Sequence, residues 1–184
     1  MKAGCENTEI SKLAIIIICG FSGAGKSTFL QKLILGKRPF KIVDLDQFIF
    51  QELSTDWKNL AEYIEKEGEL KFRNLEFLAL QKLLKSNDPK ESLAIALGGG
   101  ALTDQTWKIL KKHREVKLLW LNTPFAICWD RIKNDLKRPL TRLGKKKMRE
   151  LYQQRLPFFK KAQIQLDIKM QNLLKSSDDL LHYL

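Results

Sequence analysis

The sequence predicts a three-layer α/β fold, with a central five-stranded parallel sheet, helices on both faces and a mobile lid over the strand ends. Three observations lead there. Short β-branched apolar runs alternate with helical patterns along the chain, as strand–helix–strand units around a parallel sheet require. The first run leads straight into Gly20-Phe21-Ser22-Gly23-Ala24-Gly25-Lys26-Ser27-Thr28, which reads G-x-x-x-x-G-K-[ST]. That P-loop pattern is specific only after a buried strand and before a helix, and here it has both neighbours. The 184 residues, 44% of them hydrophobic, are enough for one domain with a substantial core.

Residues 1–11 read as a loose leader and 12–184 as a single P-loop domain. Leu13 to Cys19 is the first strand, apolar enough to be covered on both faces. Thr28 to Leu35 carries apolar residues at helical spacing, and Gly36 stops the helix. Phe40 to Val43 is the second strand, ending in Asp44-Leu45-Asp46. Helices are expected over Trp57 to Lys66 and Glu69 to Leu84, followed by the turn residues Asn87-Asp88-Pro89. The third strand, Leu93 to Leu97, runs into Gly98-Gly99-Gly100. A helix over Asp104 to Lys112, a strand over Val116 to Leu121 and, after Thr123-Pro124, a helix over Pro124 to Leu136 come next. The lid spans about 133–149, where Pro139 and Gly144 interrupt helix. A helix over Lys147 to Lys160 and a fifth strand over Ile164 to Ile168 complete the pattern.

In such a sheet, ligands sit outside the carboxyl ends of the strands. The loop glycines let backbone N–H groups turn inward around a phosphate, and the helix N-terminus adds positive potential. Lys26 can reach the β- and γ-phosphates of a nucleotide, and Ser27 can ligate Mg²⁺. Period-two geometry puts the carboxylates of Asp44 and Asp46 on one side of a strand end, one to support Mg²⁺ and one to bond or deprotonate a hydroxyl. Taken alone, Asp-x-Asp is as often a surface turn. Three glycines in a row let a ligand approach the backbone closely. Arg73 and Glu76, three apart on one helical face, read by themselves as a surface ion pair.

Composition narrows the partners. No run is long enough for a transmembrane helix. Three cysteines, Cys5, Cys19 and Cys128, show no metal-ligand spacing, which fits a reducing cytoplasm. The formal net charge of +12 is concentrated between Lys133 and Arg149. A basic run is most often a solvated helix face, but beside a phosphate loop it also suits anionic small substrates, and nucleic acid is not expected as a partner.

Taken together, the motifs resemble the shikimate kinases, in that family's order, from about Leu13 to Asp167. The P-loop is followed by Asp44-x-Asp46 and by Gly-Glu-x-x-Phe-Arg-x-x-Glu at Gly68 to Glu76. Next come Gly98-Gly99-Gly100, Arg131 ahead of Arg138-Pro139-Leu140, and Arg155-Leu156-Pro157. The resemblance implies a nucleoside-monophosphate-kinase-like fold and ATP-dependent phosphorylation of shikimate in chorismate and aromatic amino-acid biosynthesis, by a cytoplasmic monomer. Gly23, Ala24, Gly25, Lys26, Ser27 and Thr28 bind ATP on this reading, with Ser27 and Asp44 on Mg²⁺. Asp46 meets the acceptor hydroxyl. Arg73, Arg155 and the backbone of Gly98 to Gly100 hold the acceptor, and Glu76 orients the arginines. Arg131 stacks on adenine, and Arg138 closes over the phosphates, so that Lys26, Asp46 and Arg138 carry catalysis.

The chain departs from the family in a longer, unfamiliar segment between Gln47 and Lys66, in Phe159 where Tyr is usual, and in Thr141 where Leu is common. Two alternatives stand beside this reading. One is a kinase for another small hydroxylated acid such as gluconate. The other is a non-catalytic, nucleotide-gated binding protein.

Overall fold

The computed structural model describes residues 14–53, 57–135 and 138–183, so the leader over 1–11 lies outside the described residues. The elements, in chain order, are β1 (Ile15–Cys19), α1 (Lys26–Leu33), β2 (Lys41–Asp44), α2 (Leu45–Glu52), α3 (Leu60–Glu67) and α4 (Glu69–Ser86). They continue with β3 (Leu93–Ala96), α5 (Asp104–Leu110), β4 (Val116–Asn122), α6 (Phe125–Ile132) and a 3₁₀ turn over Pro139–Leu143. Last come α7 (Gly144–Phe159), β5 (Ile164–Asp167), α8 (Ile168–Leu173) and α9 (Ser177–Leu181).

The five strands are all parallel, in the order β2-β3-β1-β4-β5. β1 lies at the centre and is buried along its whole length, which accounts for its unbroken apolar sequence. The chain lays β2 and β3 on one side of β1, then crosses to lay β4 and β5 on the other. The strand order therefore reverses at β1, and a crevice opens at the loop that follows it. Register puts Asp44 beside Ala96, Cys19 beside Trp120 and Asn122 beside Asp167, so the strand ends form one rim.

The helices bury stripes dictated by their sequences. α1 turns Phe29, Leu30 and Leu33 inward. α4 buries Phe72, Leu80, Leu83 and Leu84, with Glu76 on the same stripe. The unfamiliar segment between Gln47 and Lys66 supplies most of α2 and α3, and its Trp57 packs edge to face on its Tyr63, which in turn meets Phe72 of α4 at a tilt.

Several expectations are corrected. Asp44 and Asp46 do not share a strand end. Asp44 closes β2 and caps α2, accepting from the backbone N–H of Asp46 at 3.2 Å, and Asp46 lies in the first helical turn. Asp caps helices well, and Leu45, Phe48 and Ile49 continue at helical spacing, so a helix forms where extended chain was expected. α7 begins at Gly144, three residues earlier than expected, because Gly144 adopts a φ of +79° and restarts the chain after the 3₁₀ turn. α6 ends at Ile132, short of Leu136, which lies outside the described residues with Lys137. Ile168 starts α8 instead of ending β5, because Asp167 accepts from the N–H of Met170 at 2.8 Å. α9, not expected at all, opens on a reciprocal Ser176–Asp179 capping box.

Candidate active site

The phosphate loop wraps the C-terminal end of β1. Gly23 has a φ of +83°, and a Cβ there would lie 2.5 Å from the carbonyl oxygen of Cys128 on α6, so both conformation and packing require glycine. Thr123 donates to the carbonyl of Ala24 at 3.0 Å, and Gln171 donates to Thr123 at 3.3 Å, tying the loop to β4 and α8. Lys26 folds back over the loop and donates to the carbonyls of Gly20 at 2.8 Å and Phe21 at 3.1 Å. Burial pulls its ammonium below the usual lysine range, and nearby Asp46 partly opposes that shift. Ser27 and Thr28 stand exposed at the start of α1. Ser27 Oγ donates to Asp44 Oδ2 at 2.7 Å.

Behind the loop lies the run Gly98-Gly99-Gly100, and each glycine accommodates a different neighbour. A Cβ on Gly98 would lie 2.8 Å from Asp46 Oδ1 and closer still to Glu76 Oε1. One on Gly99 would sit 3.0 Å from the backbone nitrogen of Ser22. One on Gly100 would meet Arg73 Nη2 at 2.6 Å and Arg155 Nη2 at 2.8 Å. The strip thus forms a floor on which two carboxyls and two guanidinium groups converge. Asp46, the Arg73–Glu76 pair of α4 and Arg155, far apart in sequence, come together here, as do the P-loop and Asp44.

The charges of this floor are coupled. Arg73 donates from Nη1 to Glu76 Oε2 at 2.5 Å and from Nη2 to Glu69 Oε1 at 2.7 Å. Glu76 is only 2% exposed, and burial pushes its carboxyl up to about 7 despite the adjacent Arg73. Burial, and then Asp44, also raise Asp46, against the pull of Lys26 and Arg138. Oδ1 of Asp46 and Oε1 of Glu76 are buried with no hydrogen-bond partner, an expensive arrangement that points to a ligand donor. Arg155 lies 5.5 Å over the ring of Phe21, which is itself packed edge-on against Tyr152 at 5.2 Å.

Arg131 and Arg138 reach the loop from the other side. Arg131 Nη1 donates to the carbonyl of Gly23 at 3.0 Å. Arg138 donates from Nη1 to Ser22 Oγ at 2.6 Å and from Nε to Asp135 at 2.8 Å. Beside the loop, at the ends of β4 and β5, a cavity of about 720 Å³ is lined by Asn122, Pro124, Asp167, Ile168, Lys169 and Leu173. Lys145, Lys146 and Lys147 are exposed.

Sequence reasoning missed several of these parts. Phe21 and Ser22 occupy variable positions of the loop pattern, and nothing in the sequence marks them. The Thr123–Gln171 link joins residues 48 apart and has no local signal. The cavity wall at Asp167 and Ile168 was hidden because Ile168 was read as strand, although Asp167 ahead of an apolar residue is a cap signal. Among the described residues no group of three or more His, Cys, Asp or Glu side chains gathers for a metal. Ser27 and Asp44 offer hard oxygen ligands at the loop, the donor set suited to Mg²⁺ held mainly by phosphates and water.

A model of the family described as Shikimate kinase matches residues 22–183. The shikimate kinase of Persephonella marina is 32% identical over 151 residues, 82% of this chain and 87% of that protein. Among solved structures, the shikimate kinase from Acinetobacter baumannii in complex with shikimate aligns with a TM-score of 0.77 at 26% identity, covering 95% of this chain and 94% of that one. The shikimate kinase from Aquifex aeolicus aligns with a TM-score of 0.72 at 25% identity, covering 91% and 94%.

Proposed function

The chain belongs to the shikimate kinase family, and from that premise we propose how its residues transfer the γ-phosphoryl group of ATP to shikimate, giving shikimate 3-phosphate and ADP. The observation that carries the assignment of roles is the convergence of Arg73 and Arg155 on Gly100, beside Glu76 and Asp46. Two planar guanidinium groups side by side suit a carboxylate, and the partnerless oxygen of Asp46 suits a hydroxyl donor. Shikimate carries both groups.

ATP takes the P-loop, with its phosphates along the N–H groups from Gly23 to Thr28 and its base toward the cavity between Pro124 and Ile168, while Arg131, bonded to the loop at Gly23, stacks on the base. Lys26 exchanges its two carbonyl partners for phosphate oxygens. Ser27 and Asp44 would hold Mg²⁺, which neutralises phosphate charge when bound. Arg73 and Arg155 fix the shikimate carboxylate, and Glu76 fixes the plane of Arg73. Asp46 orients the acceptor hydroxyl, and its raised pKa suits it to take the proton as the oxygen attacks. Arg138 lies near enough to influence both Lys26 and Asp46 and stabilises the charge of the transferring group. Catalysis is mainly positioning and charge neutralisation.

We place the enzyme in the cytoplasm, with which the free, buried thiols of Cys19 and Cys128 are in keeping. Arg138, tied to the loop at Ser22, and the described part of the expected lid, 138–149, shield the site from water when the substrates are bound. No observation favours gluconate as acceptor or a non-catalytic role. The test is ADP release with shikimate against gluconate, other sugar acids, polyols and nucleosides. Faster turnover with any of these than with shikimate would overturn the acceptor assignment.

A further inference from the structure

We propose that Ser22 is a positioning residue for phosphoryl transfer: its hydroxyl holds the guanidinium of Arg138 over the phosphate loop. The proposal rests on the reading of Arg138 as the arginine that meets the transferring group. Arg138 is anchored at three points. Its Nη1 donates to Ser22 Oγ at 2.6 Å, across 116 residues of sequence. Its Nε donates to Asp135 Oδ2 at 2.8 Å. Its carbonyl accepts from the Thr141 N–H at 3.0 Å and from Thr141 Oγ1 at 2.7 Å. The Thr141 bonds fix the backbone and the Asp135 bond fixes the side chain from its own turn, but only the Ser22 bond ties the guanidinium to the loop where phosphates bind.

The chemistry favours a hydroxyl at this position. An arginine has five N–H donors, and the bonds to Asp135 and Ser22 occupy one each on Nε and Nη1. Three remain for phosphate oxygens. A hydroxyl orients the group without cancelling its charge, which a second carboxylate would do. Ser22 is itself fixed from behind: Gly99 packs so closely that a Cβ there would lie 3.0 Å from the Ser22 backbone nitrogen. Arg138 is 46% exposed, so without this tether its long side chain samples many rotamers, and ordering it would fall on the transition state.

The experiment is a double-mutant cycle of Ser22→Ala and Arg138→Ala, with kcat, both KM values and melting temperature measured for each variant. Ser22→Ala should lower kcat about tenfold, leave the shikimate KM within about twofold and leave melting unchanged. Ser22→Thr should recover most of the loss. In the Arg138→Ala background the Ser22 change should have no further effect. Should the alanine loop prove unstable, Ser22→Cys, with its weak acceptor, carries the same cycle. A wild-type kcat for Ser22→Ala, or equal losses in both backgrounds, overturns the proposal while an impaired Arg138→Ala leaves the role of Arg138 standing. Full turnover by Arg138→Ala overturns both.

Discussion

Gly100→Ala should separate substrate binding from folding more cleanly than removing an arginine. A Cβ at this position would lie 2.6 Å from Arg73 Nη2 and 2.8 Å from Arg155 Nη2, where ordinary contacts begin at 3.4 Å. The two guanidinium groups must therefore withdraw by about 0.8 and 0.6 Å, and both are ends of flexible side chains that can do so. Gly100 is not among the positive-φ glycines, so alanine meets no backbone strain there, and it restricts the unfolded chain. Stability should stay within about 1 kcal/mol of wild type. Binding should not. Each charge-assisted contact contributes roughly 1.5–3 kcal/mol, and misplacing two of them by that distance should forfeit about one such contact. The expected result is a shikimate KM raised about 10- to 150-fold, with the ATP KM nearly unchanged. The assay is steady-state ADP release against shikimate, alongside chemical denaturation. Gly68→Ala is the control: its φ is +91° with nothing within 4 Å, so it should cost stability and spare the KM. An unchanged shikimate KM in Gly100→Ala, with the protein folded, would refute the claim that the arginine pair over this glycine holds the acceptor.

Lys26→Ala should abolish turnover with little change in melting temperature, since the hydrogen bonds of the ammonium go to carbonyls of the loop and not to the core; near-normal ADP release would remove the loop from catalysis. Asp46→Asn should lower kcat at saturating shikimate, whereas Asp44→Asn should raise the Mg²⁺ concentration needed for half-maximal rate, and identical signatures would show the two roles to be wrongly divided. Glu76 should make stability pH-dependent. Its carboxyl titrates at about 7 in the fold against 4.5 in the unfolded chain, so the folded state holds the extra proton between those values. The resulting stability is complete below the lower value and is lost as pH rises through the upper one. Between pH 5.5 and 8 wild type should lose about 2 kcal/mol relative to Glu76→Gln, read by urea denaturation at each pH, and a constant difference between the two would contradict the buried state of this acid.

The framework was legible because it follows from local rules. A β-branched run, a glycine loop and an amphipathic helix each declare themselves within about ten residues, and β1, α1 and the P-loop lie where those patterns put them. The acid pair was legible as chemistry but not as geometry. Asp44 serves both strand and helix, and a two-residue spacing reads alike whether the chain stays extended or turns at a cap. The convergence of Arg73 and Arg155 is invisible to any local window, since each alone reads as a surface charge. It depends on β3 lying between β2 and β1, which brings Gly100 to the rim where α4 and α7 deliver the two side chains. Glu76 shows why the site and the core cannot be separated. It lies on the apolar stripe of α4 between Phe72 and Leu80, where a residue chosen for packing would be leucine. A carboxyl at 2% exposure is retained there because it holds Arg73, and the cost of burying it is the raised pKa. A costly buried carboxyl in the helix is therefore the group that aims the arginine, and Arg73 itself offsets only part of that cost.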